Sequence, residues 1–227
     1  VRLEQLLKEL KSRGDRANVE GMARFGISSR NTLGVPMPAL REMGKRIGKD
    51  HRLALALWRS GIHEARILAA LVDDPESVTE AQMERWARDL DSWDVCDQCC
   101  SNLFDRTGSA YRKALEWSAR EEEFVKRAGF SLMASLAVHD KKAPDEAFEA
   151  FLPAIRRGAG DGRNFVRKAV NWALRQVGKR NLALNKKALA LAEDLSKAES
   201  GSARWVGSDA RRELQSDAVR RRLRRSS

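Results

Sequence analysis

"FVKRAGFSLMA", residues 124–134, and "FVRKAVNWALR", residues 165–175, share Phe-Val-basic-basic-Ala and start 41 positions apart. Fainter echoes, each with a basic residue entering an apolar helix, occur in "HEARILAALV" from His63 and "SARWVGSDARREL" from Ser202. A period near 40 with two helices per unit is the signature of HEAT-type repeats, whose helix pairs stack so that neighbours bury a continuous core. A generic helical bundle is the competing reading. The basic positions recurring within the echoes favour the repeat.

Outward from these segments, apolar residues recur at helical spacing almost throughout, as in Leu3, Leu6, Leu7 and Leu10, and nothing alternates with the period of two that a strand requires. The expected fold class is all-α: a HEAT-like repeat solenoid of antiparallel helix pairs with a basic concave face. Breaks are expected at Gly26 and Gly34, before Pro38, at Asp74-Pro75, from Lys142 to Pro144 and from Gly158 to Gly162, which leaves about a dozen helices. Residues 1–215 are read as a single domain. The arginine-rich end, 216–227, is read as a basic tail, a fraying helix that adds nonspecific affinity.

The 227 residues carry 43 Lys and Arg against 32 Asp and Glu, a net charge of +11, which favours a polyanionic partner over an acidic small molecule. Nucleic acid leads. No stretch approaches the roughly 20 apolar residues of a membrane span, and the charged start lacks a signal peptide's apolar block. All three cysteines lie within "DSWDVCDQCC", residues 91–100, which suits a reducing compartment rather than a disulfide framework. A cytoplasmic protein of the bacterial cytosol and nucleoid is expected.

That segment reads as a helix from about Ser92 with Asp91 as N-cap. Trp93 and Asp97 are then neighbours one turn apart, as are Cys96 and Cys100, while Cys99 falls beside Val95 and Leu103. A structural zinc needs four ligands, and His51, His63 and His139 lie in other segments without ligand spacing, so the thiols read as core and no metal or cofactor is expected. Asp97 is a carboxylate beside an indole among basic helices. It suits either a charge role in catalysis or an ion pair with Lys126 or Arg127. Trp93 and Trp172 could equally be core.

"LGVPMPALREMGKRIGKDHRLALALW", "HEARILAALV", "DSWDVCDQCC", "FVKRAGF" and "FVRKAVNWALR" in this order resemble the HEAT-like DNA alkylation repair family, the AlkD-type alkylpurine DNA glycosylases. The resemblance covers most of the chain. It puts the family's Trp-x-x-x-Asp on Trp93 and Asp97, its phosphate-side arginine on Arg127 and its second cleft tryptophan on Trp172. The chain departs in having a single tryptophan where some members have two before the aspartate, in the cysteine-rich flank and in the arginine-rich end.

The resemblance implies excision of N3- and N7-alkylated purines, such as 3-methyladenine and 7-methylguanine, from double-stranded DNA that carries alkylated bases, and a solenoid gripping a duplex is expected to work as a monomer. It also implies that the duplex is gripped without a base-reading pocket. Such bases already carry a positive charge and leave readily. The sugar is what needs help, because C1′ becomes oxocarbenium-like and a fixed carboxylate stabilises it best in a partly dry cleft. Asp97 suits that role, with Trp93 and Trp172 as cation–π faces and Arg127 on a phosphate. Further DNA contacts are expected from Lys126, Arg66, Lys168, Arg175 and Lys179. Since the family also contains members with little excision activity, the alternative is a noncatalytic HEAT-like scaffold for damaged, bent or branched DNA.

Overall fold

Helices form throughout, and no strand occurs among the described residues, 2–225 of the computed structural model. The chain divides into two compact units, Val1–Thr107 and Gly108–Ser227, within the stretch expected to be one domain. The first unit holds α1 (Arg2–Ser12), α2 (Arg16–Ala23), α3 (Met37–Ile47), α4 (His51–Arg59), α5 (His63–Val72), α6 (Glu80–Arg88), α7 (Trp93–Asn102) and a 3-10 turn at Phe104–Arg106. The second holds α8 (Ala110–Ser118), α9 (Glu123–His139), α10 (Asp145–Glu149), α11 (Leu152–Gly158), α12 (Asn164–Gly178), α13 (Leu182–Ser196), α14 (Gly201–Leu214) and α15 (Asp217–Arg225). No described helix is long and apolar enough to cross a membrane.

The four echoing segments are α5, α9, α12 and α14, and they occupy equivalent places. α4 packs on α5, α8 on α9 and α13 on α14, while α5 also meets α3 and α7, and α12 meets both α9 and α14. This is the stacking of HEAT-like helix pairs. Polar side chains set the helix starts: the Asp50 carboxylate accepts from the Leu53 amide at 2.9 Å, the Thr79 hydroxyl from Gln82 at 3.2 Å and the Asn181 side chain from Leu184 at 2.9 Å. Pro38 sits in the first turn of α3, where its missing N–H leaves no hydrogen bond unmade.

Each unit has its own aromatic core. In the first, Trp58 and Trp86 stack in parallel with centroids 4.0 Å apart, and Phe104 lies 6.2 Å from Trp86. In the second, Tyr111 stacks on Phe151 at 5.8 Å and meets Phe148 edge-on at 6.0 Å. Glycines let the pairs close. A Cβ on Gly129 of α9 would stand 2.4 Å from the Ser118 amide nitrogen of α8, and one on Gly207 of α14 would stand 2.4 Å from that of Ser196 of α13. Both glycines fall five residues into their echoes, Phe124 and Ser202 being the starts.

The arginine-rich end corrects one expectation. α15 does not fray but docks, because Val219 and Leu223, one turn apart, are both buried and leave the arginines outside. Ser226 and Ser227 of that run lie outside the described residues.

Gly129→Ala should therefore destabilise the protein by about 2 to 3 kcal/mol, since backbone rather than a flexible side chain blocks the new methyl. Gly21→Ala, in α2 with nothing within 4 Å of the added atom, should instead stabilise it by about 0.5 to 1 kcal/mol. Urea unfolding followed by circular dichroism checks both, and equal effects would contradict the close approach.

Candidate nucleic-acid interface

α7 begins at Trp93 with Ser92, not Asp91, as its N-cap; Ser92 takes the extended backbone (φ −150°, ψ 153°) from which the helix starts. Asp91 lies outside, exposed, 3.7 Å from the Arg66 guanidinium. One face of α7 is wholly buried: Val95, Cys96, Cys99 and Cys100 have no exposed surface. Burial pushes the Cys99 and Cys100 thiols well above their ordinary range, and nearby Cys96 acts in the same direction. They are neutral packing groups. No cluster of three or more His, Cys, Asp or Glu suited to a metal exists among the described residues.

The other face carries Trp93 and Asp97, both half-buried. The Trp93 indole N–H donates to the Phe25 carbonyl at 3.1 Å, which fixes the ring at the wall of a cavity of about 520 Å³. Met22, Leu40, Ile67, His63, Asp94 and a Phe25 that is 70 % exposed also line this cavity. Trp93 is thus not core, unlike Trp58, Trp86 and Trp117. The Asp97 carbonyl accepts from the Ser101 hydroxyl at 2.7 Å.

A pair that the pattern of "HEARILAALV" did not single out holds α7 to α5. His63 Nε2 lies 2.7 Å from Asp94 Oδ2, with both side chains largely buried. Burial alone would lower the His63 pKa, but the hydrogen bond and charge of Asp94, with Glu64 and Asp91 beyond, raise it. Burial would likewise raise Asp94, and His63 more than reverses that, holding the carboxyl below its usual range. Next to it, the buried Glu64 carboxylate accepts from the amides of Leu33 (2.9 Å) and Gly34 (2.6 Å), tying down the loop before α3.

Most of the expected DNA-binding cations have partners inside their own unit. Arg66 donates to the Asp89 carbonyl at 2.9 Å and lies over the Trp58 ring at 5.1 Å. Lys126 pairs with Asp161 at 3.3 Å. Arg127 is 5 % exposed and donates to the Phe165 carbonyl of α12 at 2.6 Å. Along α12, Trp172 is half-buried, and Arg175 and Lys179 both bond Glu213 of α14, the latter at 2.6 Å. Those bonds hold the Glu213 carboxyl below its usual range although burial opposes them. Lys168 is exposed, and its side chain makes no hydrogen bond or ion pair among the described residues.

The family model described as DNA alkylation repair enzyme matches residues 6–214. A solved structure described as "A new family of proteins related to the HEAT-like repeat DNA glycosylases with affinity for branched DNA structures" superimposes with a TM-score of 0.82 at 20 % identity, covering 97 % of this chain and 95 % of that one. That likeness shows the fold. No curated protein matches.

The His63–Asp94 pair sets a pH window. A raised His63 pKa gives stability that is complete below about 6.5 and is lost as pH rises through the raised value. A lowered Asp94 pKa gives stability that is present above about 3.8 and lost as pH falls through the lowered value. His63→Gln keeps a donor but no charge, so wild type should exceed it in urea stability by about 1 to 2 kcal/mol between pH 5 and 6, with the gap closing at higher pH. A gap independent of pH would mean that the ring is never charged.

Proposed function

Because the chain belongs to the DNA alkylation repair enzyme family, we propose that it is a DNA glycosylase that excises cationic N3- and N7-alkylated purines from duplex DNA. The observation that carries this reading is the half-buried Asp97 one turn after the half-buried Trp93, on a helix whose opposite face is locked in the core. A carboxylate so held cannot relax away from a developing positive charge, and partial desolvation strengthens its action on C1′ of the sugar. The alkylated base already carries a positive charge, so its departure requires no acid. Asp97 has two tasks: to stabilise the oxocarbenium-like sugar and to orient the water that captures it.

The Trp93 indole offers its face to the same cation, worth roughly 0.5 to 2 kcal/mol according to how dry the contact is. Trp172 is assigned the same role and Arg127 that of holding a backbone phosphate. Lys126, Arg66, Lys168, Arg175 and Lys179 supply further electrostatic attraction to the duplex, and the protein acts as a monomer without a metal. Of these cations, Lys168 has the greatest freedom to reach a phosphate.

A second reading has its own support, since the solved protein of the same fold is described by its affinity for branched DNA. On that reading this chain binds DNA junctions without cutting glycosidic bonds.

Asp97→Asn separates the two. If the carboxylate acts on the transition state, release of 7-methylguanine or 3-methyladenine should slow by about 10² or more, roughly 2.7 kcal/mol of barrier. Duplex affinity should hold or improve, because a negative charge has been removed. A variant that folds, binds and releases base at the wild-type rate would end the catalytic assignment. Wild type that releases no base yet prefers a four-way junction to a duplex would establish the second reading.

A further inference from the structure

We propose that the cavity at the C-terminal ends of α3, α5 and α7, formed by Arg41, Lys45, Lys49 and Arg106, seats a backbone phosphate of bound DNA. It encloses about 350 Å³, and its remaining lining is Gly44, Gly48, Leu71 and Asn102, with no carboxylate. The proposal rests on the DNA-binding part of the reading above and not on excision.

Charge at this cavity is left unpaired. Where most candidate cations in this chain have a carboxylate or carbonyl partner, the side chains of Arg41, Lys45 and Arg106 make no hydrogen bond or ion pair among the described residues. Glu42, beside Arg41 in sequence, is engaged by Arg13 at 2.8 Å and Arg46 at 3.9 Å. Lys49 is held in place, its ammonium donating to the carbonyls of Leu71 (3.2 Å) and Asp73 (2.6 Å). Burial lowers its pKa, and the like charge of Arg106 lowers it further, against the pull of Asp73 and Asp74. Arg41, Lys45 and Arg106, gathered with Lys49 around a lining that holds no carboxylate, repel one another, and an anion at their centre removes that cost.

Cations at helix C-termini also answer the helix dipole, which accounts for Lys49 and, in the last turn of α3, Lys45. It does not account for Arg41, in the middle of α3, or for Arg106, in the 3-10 turn after α7. The basic cavity of the second unit differs. Asp145 stands in its wall, Lys179 is paired with Glu213, and Arg180 donates to the carbonyls of Ala137, Asp140 and Ala143.

DNA is the favoured source of the phosphate because the lining has no aromatic face on which a nucleotide base could stack. α7 also links this cavity to the candidate site. Asn102 lines the cavity and Trp93 lies at the other end of the helix, about 14 Å away along its axis, or roughly four base pairs of rise.

The test compares wild type, the triple variant Arg41→Ala/Lys45→Ala/Arg106→Ala, and a control of equal charge loss on α4 and α6, Arg59→Ala/Arg85→Ala/Arg88→Ala. Affinity for a labelled duplex is measured by anisotropy from 50 to 200 mM KCl, with thermal melts to verify folding. The cavity variant should bind about tenfold more weakly, and its log–log salt slope should be shallower by about 1, while the control keeps the wild-type slope. Arg41→Lys/Arg106→Lys, which keeps the charges, should also keep the slope and serves if the triple variant does not fold. A wild-type slope in the cavity variant, equal losses in cavity variant and control, or a lost slope in the lysine variant would overturn the proposal. So would inorganic phosphate raising the melting temperature of wild type but not of the triple variant while DNA binding is unchanged, since the cavity would then take small anions. Base release is scored on wild type in parallel. Its absence with the slope effect intact would sink excision alone, and its presence with no slope effect would sink the phosphate seat alone.

Discussion

The fold depends on how closely the two helices of a pair can approach. At Gly129 and Gly207 the backbone of one helix lies where a side chain would otherwise begin, against the last residues of its partner, Ser118 and Ser196. That contact fixes the register of the pair, because a slip by one residue would put a Cβ into backbone. With the register fixed, Lys126 and Arg127 stand in the turn before Gly129, and Arg204 and Trp205 in the turn before Gly207. The Arg127 bond to the Phe165 carbonyl then joins one echo helix to the next, and Asn171 of α12 donates to the Val206 carbonyl of α14 at 3.2 Å to extend the series. A backbone constraint at one residue thus places the polar residues several positions away.

The repeat was legible because it is local: a shared string, a period and glycine and proline punctuation predicted the helices and their pairing. What was not legible is long-range. His63 meets Asp94 across 31 positions, Lys179 meets Glu213 across 34, and Arg175 meets the same carboxylate across 38. Periodicity says which face of a helix a cation occupies but not which acid faces it, so charges that read as a DNA-binding set prove to be largely engaged within the protein. The N-cap of α7 was misplaced by one residue for a local reason: Asp91 and Ser92 are both residue types that favour a helix start, and it is Ser92 that takes the extended backbone there. At the C-terminus, the density of arginine hid a two-residue apolar stripe.

The count of 43 Lys and Arg therefore overstates what DNA can feel. A cation already bonded to a carboxylate neutralises little of a phosphate and releases few counter-ions, whereas an unpaired one contributes its whole charge. Exposed Lys168 and the group around Arg41 and Arg106 belong to the second kind. Pairing of this kind weights a basic surface toward its unpaired cations, and contacts from them to phosphates position a duplex without reading its sequence.

The same economy of charge operates on α7. A carboxylate proposed to stabilise a sugar cation must remain ionised, and a second negative charge nearby would work against that by raising its pKa. Cys96 and Cys100 flank Asp97 along the helix, and a thiolate at either would be such a charge. Burial prevents this for Cys100, and Asp97 itself pushes that thiol further up, so the proton stays on sulfur. The thiols are small enough to let α7 settle against α5 and carry no hydroxyl that would need a hydrogen-bond partner in the core. Cys100 thus adds no negative charge beside Asp97, and sulfur supplies packing there rather than chemistry.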